Sequence, residues 1–305
     1  MIKKTENKLK EEYLNYPYWT LNDRQICDLE LILNGGFEPL NGFLGKRDFE
    51  SVINDLRLED GTLWPIPITL DVSIEFAELL SNGDSITLKD KEGFSLAIME
   101  ISDIWEPDRS KEATLVFGTS DDKHPGANHL LNESNPIYIG GNLKCIDLPH
   151  HYDYKNLRHS PKALKKKFQE MGWNKIVAFQ TRNPLHRAHV VMTQKAMEEL
   201  DANLLIHPVV GMTKPGDVDH YTRVRCYNHV LDRYPDNSAI LSLLPLAMRM
   251  GGPREALLHA IIRKNYGCTH LIVGRDHAGP GNNKNGNCLL YTSPSPRDQR
   301  GSGMA

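Results

Sequence analysis

The sequence predicts an α/β protein in two parts: a compact, mostly β first half, then a parallel sheet covered by helices on both faces. Three observations carry that reading. From residue 1 to about 160 the apolar runs are short and divided by turn residues, the rhythm of closely connected strands. Beyond residue 174, strand-length and helix-length patterns alternate, as parallel strands joined by crossover helices do. The residues with unusual chemistry in that second half gather in the loops after the strands, where open α/β sheets bind their ligands.

Taken in order, residues 27–33 form a helix that Asn34-Gly35-Gly36 ends, since glycine closes a helix in the left-handed conformation at little steric cost. Residues 37–43 are an aromatic and Gly/Pro loop, and 46–56 a second short helix. Strand candidates are 64–70, 84–89, 94–99 and 137–139, with Asn82-Gly83 and Glu92-Gly93 as turns. The polar residues of this half make no grouping of acid, base and nucleophile, so it is expected to fold and position rather than react. Residues 150–173 carry Asp153, Lys155, Arg158 and the run Lys165-Lys166-Lys167. They are expected to form a connecting helix with a solvated charged face, and the division between domains is set at residue 160.

In the second half the strand candidates are 175–179, 203–207, 238–242 and 270–273, separated by helices over about 186–200, 219–234 and 252–266. The first strand leads into Gln180-Thr-Arg-Asn-Pro-Leu-His-Arg-Ala-His189. Asn183 is the expected N-cap there, with Pro184 in the first helical turn, where a missing N–H costs nothing. His186 and His189 are three apart and share a helix face. The helix start offers unpaired N–H groups to an anion; Arg182 and Arg187 add cations, and Gln180, Thr181 and Asn183 add neutral hydrogen-bonding groups. The two histidines lack an acidic or thiol partner nearby, so a metal site is not expected.

Three later loops draw notice. Lys214, in the loop after the second strand, faces either a phosphate or solvent. Arg249 and Arg254 flank Gly251-Gly252 at a helix start and are read as bidentate holders of a phosphate or sulfate oxygen, with a pair of solvated surface arginines as the alternative. The fourth strand runs into Gly274-Arg275-Asp276-His277-Ala278, where glycine lets backbone approach a ligand while arginine and histidine supply charge and donors.

The string from Gln180 to His189 resembles the signature of the ATP sulfurylase (sulfate adenylyltransferase) family, a version of the His-x-x-His motif of a wider nucleotidyltransferase superfamily. A bare His-x-x-His would say little; the full string is specific. The loop from Gly274 resembles the family's second nucleotide-binding signature, and the string from Met248 to Glu255 is closely similar as well. The segment from Leu33 to Leu44 resembles the family's N-terminal PUA-like β domain. The resemblance therefore implies a PUA-like domain over residues 1–160 and a Rossmann-like parallel-sheet catalytic domain over 161–287. Residues 288–305, rich in Ser, Pro and Gly without periodicity, are expected to be a non-native or disordered tail. They stand where the family continues with a further segment, so the catalytic domain is expected to be incomplete, and with it the activity of the chain is in question.

The implied reaction is attack of a sulfate oxygen on the α-phosphorus of ATP, giving adenylyl sulfate and pyrophosphate. Carried over by position, Gln180, Arg182 and the backbone of Ala278 hold sulfate, and Thr181, Arg182 and Asn183 act at the transferring phosphoryl. His186 and His189 contact the phosphate chain, while Gly274, Arg275, Asp276 and His277 line the nucleotide pocket. Mg²⁺ accompanies ATP through phosphates and water, without a protein cage. The expected partners are ATP and sulfate, with homo-oligomer formation in the full-length protein. The competing readings are another adenylyltransferase of the superfamily, an inactive nucleotide-binding fragment, and RNA binding through the PUA-like half.

Composition narrows the field. A formal net charge of −3 gives no support to a nucleic-acid or membrane-surface partner. No apolar run approaches a membrane span, and the polar N-terminus lacks the apolar core of a secretory signal. The five cysteines include no C-x-x-C pair and are expected to be buried small hydrophobes in a reducing cytoplasm.

Overall fold

A computed structural model describes residues 13–212 and 218–280. Lys214 and the tail from 288 lie outside the described residues.

The first half builds a six-stranded sheet. β1 (Tyr18–Thr20) leads into α1 (Asp23–Leu33). That helix begins four residues before the predicted start, because the Asn22 side chain accepts from Gln25 N–H while Gln25 reaches back to the Asn22 N–H. β2 (Gly42–Phe43), α2 (Lys46–Asp55), β3 (Leu70–Val72), the single turn α3 (Ile74–Ala77), β4 (Ser85–Lys89) and β5 (Ser95–Trp105) follow. Then come α4 (Arg109–Phe117), the short α5 (Pro125–Asn128) running into a π-helical turn, and β6 (Ile137–Cys145). The strand order is β1-β4-β5-β6-β2, with β3 also pairing β6.

Several expectations change here. The run 64–70 yields a strand only from Leu70, since Pro65 and Pro67 bring no N–H to a ladder. β5 and β6 extend well past the apolar runs that announced them, because the long β5–β6 pairing carries polar residues on its outer positions. Cys145, at the exposed end of β6, is not buried, whereas Cys268 is. The connecting helix is α6 (Pro161–Glu170), capped by the Ser160 hydroxyl; residues before it form loops and one short 3-10 turn. Asp153 organises that stretch by pairing with Arg158 at 3.0 Å and His220 at 2.9 Å.

The second half contains β7 (Ile176–Phe179), α7 (Arg187–Leu200), β8 (Asn203–Ile206), α8 (His220–Leu231), β9 (Ala239–Leu241), α9 (Pro253–Asn265) and β10 (His270–Ile272). All pairings are parallel, in the order β10-β7-β8-β9. All four residues of β7 are buried, and successive side chains go to opposite faces, as a two-sided sheet demands. Ile176 and Ala178 join a cluster with Leu164, Phe168, Leu258 and Ile262 of α6 and α9. Val177 and Phe179 join one with Val224 and Tyr227 of α8, against which α7 also packs. The first cluster continues without a break into Leu29, Phe37, Trp64 and Ile66 of the first half, so one face of the parallel sheet shares its core with the β sheet. Among the described residues no helix is long and apolar enough to cross a membrane.

Charged groups lock this junction. Arg249 is only 5% exposed, and its guanidinium donates to both oxygens of Asp28 on α1 at 2.6 Å. Arg254 donates to the carbonyls of Val52, Ile53 and Pro65, satisfying the C-terminal end of α2. Both sequence readings of this arginine pair are corrected. Arg249 is buried and Arg254 half-buried, and carboxylate and carbonyl oxygens of the first half take donors of both that a phosphate or sulfate would need. Replacing Arg249 by Met would strand the Asp28 carboxylate in the interior and is expected to cost about 3 kcal/mol in chemical denaturation.

A second buried acid has the opposite character. Glu112 accepts a hydrogen bond from the Tyr138 hydroxyl at 3.0 Å, and burial pushes its carboxyl up to about 8. It folds as the neutral acid, so its stabilising contribution is complete below the ordinary carboxylate range and is lost as pH rises towards 8. Glu112→Gln is therefore expected to lose less stability than the parent between about pH 5 and pH 8, by roughly 2 kcal/mol in urea titrations.

Candidate functional site

The parallel sheet changes direction beside its first strand. From β7 the chain steps to β8 and β9 on one side, then returns through α9 to place β10 on the other. Loops leaving β7 and β10 diverge at such a switch point and leave a crevice at the strand ends. The crevice here is an open cleft of about 290 Å³, walled by residues 179–183 on one side and by 272–274 and 276–278 on the other, with His189, Met192 and Met248.

The loop after β7 is held from within and from behind. Thr181 is buried, and its hydroxyl donates to the Asn183 carbonyl at 2.8 Å while accepting the Asn183 N–H at 3.0 Å. The Tyr227 hydroxyl on α8 donates to the same carbonyl at 2.9 Å. Arg223, also on α8 and 3% exposed, donates to the carbonyls of Arg182 at 3.0 Å and Val209 at 2.8 Å. The loops after β7 and β8 are thus fastened to one buried cation. Gln180 sits half-buried at the mouth of the strand, with its Oε1 buried and without a hydrogen-bond partner among the described residues.

The helix begins later than the sequence suggested. Its N-cap is His186, and Asn183 and Pro184 belong to the preceding turn because Thr181 and Tyr227 hold Asn183 there. The His186 N–H points to Nδ1 of His189 at 3.4 Å, and the two rings lie 4.0 Å apart between centroids. Burial and the neighbouring His186 hold His189 below the usual histidine range. A neutral His189 accepting at Nδ1 keeps its proton on Nε2, which makes it a hydrogen-bond donor to a ligand. His186 itself is exposed and borders an outer hollow with Arg187, not the cleft proper.

On the opposite wall, Gly274 has no positive φ, and a Cβ built there would meet nothing within 4 Å, so glycine keeps the cleft open without being demanded by the backbone. Ala278 adopts φ 53°, in the left-handed region, and its carbonyl accepts from the Gly252 N–H at 3.1 Å. Asp276 and His277 face both the cleft and an adjoining hollow at the start of α9; Arg275 lines only that second hollow. Of the residues singled out from sequence, the cleft therefore gathers Gln180, Thr181, Arg182, Asn183, His189, Gly274, Asp276, His277 and Ala278, with His186 and Arg275 at its margins.

The model of the ATP-sulfurylase family matches residues 155–297, and that of the PUA-like domain matches residues 1–148. A protein named sulfate adenylyltransferase from Eremothecium gossypii is 54% identical over 92% of this chain, covering 56% of that protein. One of the same name from Saccharomyces cerevisiae is 53% identical over 93% of this chain and 56% of that protein. Residues 155–297 belong to the ATP-sulfurylase family. The chain spans about half the length of these curated relatives. A solved structure titled hexameric APS kinase from Thiobacillus denitrificans superposes with a TM-score of 0.75 at 32% identity, over 89% of this chain and 50% of that one.

The supports of this ATP-sulfurylase cleft were the least visible part in sequence. Arg223, Val224 and Tyr227 share one helix face, and an arginine in such a core register was the available signal that it caps something internal. Among the described residues no group of three or more His, Cys, Asp or Glu is arranged to hold a metal ion. Arg223→Leu is expected to lower stability by about 2 kcal/mol and Tyr227→Phe by about 1 kcal/mol in urea unfolding, because the first strips a donor from the Val209 and Arg182 carbonyls and the second leaves the Asn183 carbonyl to Thr181 alone.

Proposed function

We propose that this chain carries the ATP and sulfate site of a sulfate adenylyltransferase and that sulfate attacks the α-phosphorus of ATP directly, releasing pyrophosphate. The observation that supports this most is the chemistry of the facing loops. One cleft at the switch point combines a guanidinium, imidazoles, hydroxyl, amide and backbone groups, suited to holding anions. Direct transfer between two bound anions asks the protein for orientation and charge stabilisation, not for a nucleophile of its own.

In this reading Gln180, Arg182 and the Ala278 backbone hold sulfate, and Thr181, Arg182 and Asn183 act where the phosphoryl transfers. His189 donates from Nε2 to the phosphate chain with His186 beside it, and Gly274, Arg275, Asp276 and His277 enclose the nucleoside. Gln180 would serve sulfate through its Nε2–H donors, since its Oε1 can only accept. Mg²⁺ carried by ATP would neutralise phosphate charge, with its ligands drawn mainly from phosphate and water. The same reading divides the chain near residue 160 into a supporting and a catalytic domain, with the tail from 288 outside both. It places the protein in the cytoplasm and makes the full-length form a homo-oligomer.

The test is sulfate-dependent exchange of labelled pyrophosphate into ATP with Mg²⁺. Exchange is expected to require sulfate and to fall at least about 100-fold in Arg182→Ala, the scale of losing one charge-stabilising donor. ATP binding without exchange would favour a nucleotide-binding fragment. Exchange driven by another acceptor and indifferent to sulfate would favour a different adenylyltransferase.

A further inference from the structure

Behind His277 lies a buried relay that neither signature string marks as a unit. His277 Nε2 is 2.8 Å from Nδ1 of His259, which lies one turn beyond Glu255 on α9. Glu255 and His259 are both fully buried. The Glu255 carboxylate accepts from the backbone N–H groups of Arg249 and Gly251, each at 2.9 Å, and its Oε1 is 3.4 Å from His259 Nε2. That approach is a charge contact, not a hydrogen bond in this geometry, and among the described residues Nε2 has no hydrogen-bond partner, so the Glu255 carboxylate is the charge it faces.

These contacts set the direction of every proton in the relay. Burial alone would push the Glu255 carboxyl up, but His259 and the two amides outweigh it and bring it down to about 2, so it is an anion. Against an anion, His259 must present Nε2–H rather than a lone pair. Burial, assisted by the cations of Arg263 and Arg249, keeps His259 neutral even beside Glu255. Its Nδ1 is therefore bare, and the 2.8 Å contact is a hydrogen bond only if His277 donates from Nε2. His277 is neutral as well, brought down to about 4 by burial, His259 and Arg263 against the opposing Glu255. Its remaining nitrogen, Nδ1, is then an acceptor.

We propose that Glu255 and His259 are positioning residues that fix His277 in one tautomer, so that it offers an acceptor to a hydroxyl or amino group of the nucleotide and not a donor to phosphate. The proposal rests on the reading of the cleft as an ATP site. It gives the two cleft histidines opposite polarity: His189, with Nδ1 taking the His186 N–H, donates, and His277 accepts.

Ring nitrogen NMR on the histidine-labelled 305-residue chain without ligand tests the tautomers directly. His259 and His277 are each expected to be protonated at Nε2 and bare at Nδ1. A proton on Nδ1 of His277, or averaging between its tautomers, overturns the proposal. The second arm measures ATP affinity in His259→Leu and His259→Asn at equal melting temperature. Asn sets a carbonyl where Nδ1 stood and restores the acceptor; Leu does not. Affinity is expected to fall about tenfold in the Leu variant and to stay within about threefold of the parent in the Asn variant. Equal loss in both, or loss in neither, overturns the positioning role. A parent chain that does not bind ATP would remove the nucleotide reading, while the ligand-free tautomers would still decide the relay.

Discussion

The ion pair of Asp28 and Arg249 is the contact on which the cleft's second wall depends. Asp28 belongs to the first half, but the residue it fixes begins the turn that leads into α9. The backbone N–H of that same arginine donates to Glu255, and three residues on, Gly252 donates to the Ala278 carbonyl. One buried pair thus holds a short turn, and the turn holds both the carboxylate behind His259 and the loop that bears His277 and Ala278. No described residue of the β half lines the cleft, yet that half sets the geometry of one side. Burying two charges makes sense for such a joint, because a pair at this depth loses much more when one partner moves than a greasy contact would.

The other wall is braced by different means. Thr181 and Tyr227 both use the Asn183 carbonyl, and Arg223 gathers the carbonyls of Arg182 and Val209. The turn between β7 and α7 is therefore set by hydrogen bonds to main-chain oxygens. The Asn183 side chain is not used to cap the helix and stays available at the surface. A cleft that works by orienting anions gains from this arrangement, since walls fixed before binding need no rearrangement when charge moves.

Most of the fold was legible in the sequence. The second-half strands and helices fall within a few residues of their predicted ranges, because parallel strands buried on both faces leave continuous apolar runs. The first half was less legible where burial and periodicity part company. Trp64, Ile66 and Ile68 are buried like strand residues, but two intervening prolines keep them out of the ladder. The helices α4 and α5 escaped notice, being short and bounded by caps at Asp108 and His124 rather than by a strong apolar stripe. At the site, motif strings located the loops that meet, since they are contiguous in the chain. What lies behind them was hidden, because Arg223, Glu255 and His259 act across distances that local pattern does not encode.

The arginines show why. Arg223, Arg249 and Arg254 all neighbour ligand-like loops in sequence, and each points its guanidinium inward to oxygens of the protein. Lysine in their place would offer a compact ammonium, but a planar fork of five donors can satisfy two or three separated carbonyls at once. Where loops converge on a cleft, carbonyls left without strand or helix partners accumulate behind it, and each must find a donor. Arginine meets that need for the same reason that it binds phosphate, so residue type alone cannot tell the two roles apart. Burial can. Arg182, half-exposed on the cleft wall, keeps its place among the candidate ligands, while the buried Arg223 and Arg249 leave that class for the scaffold, and half-buried Arg254 follows them because three carbonyls take its donors.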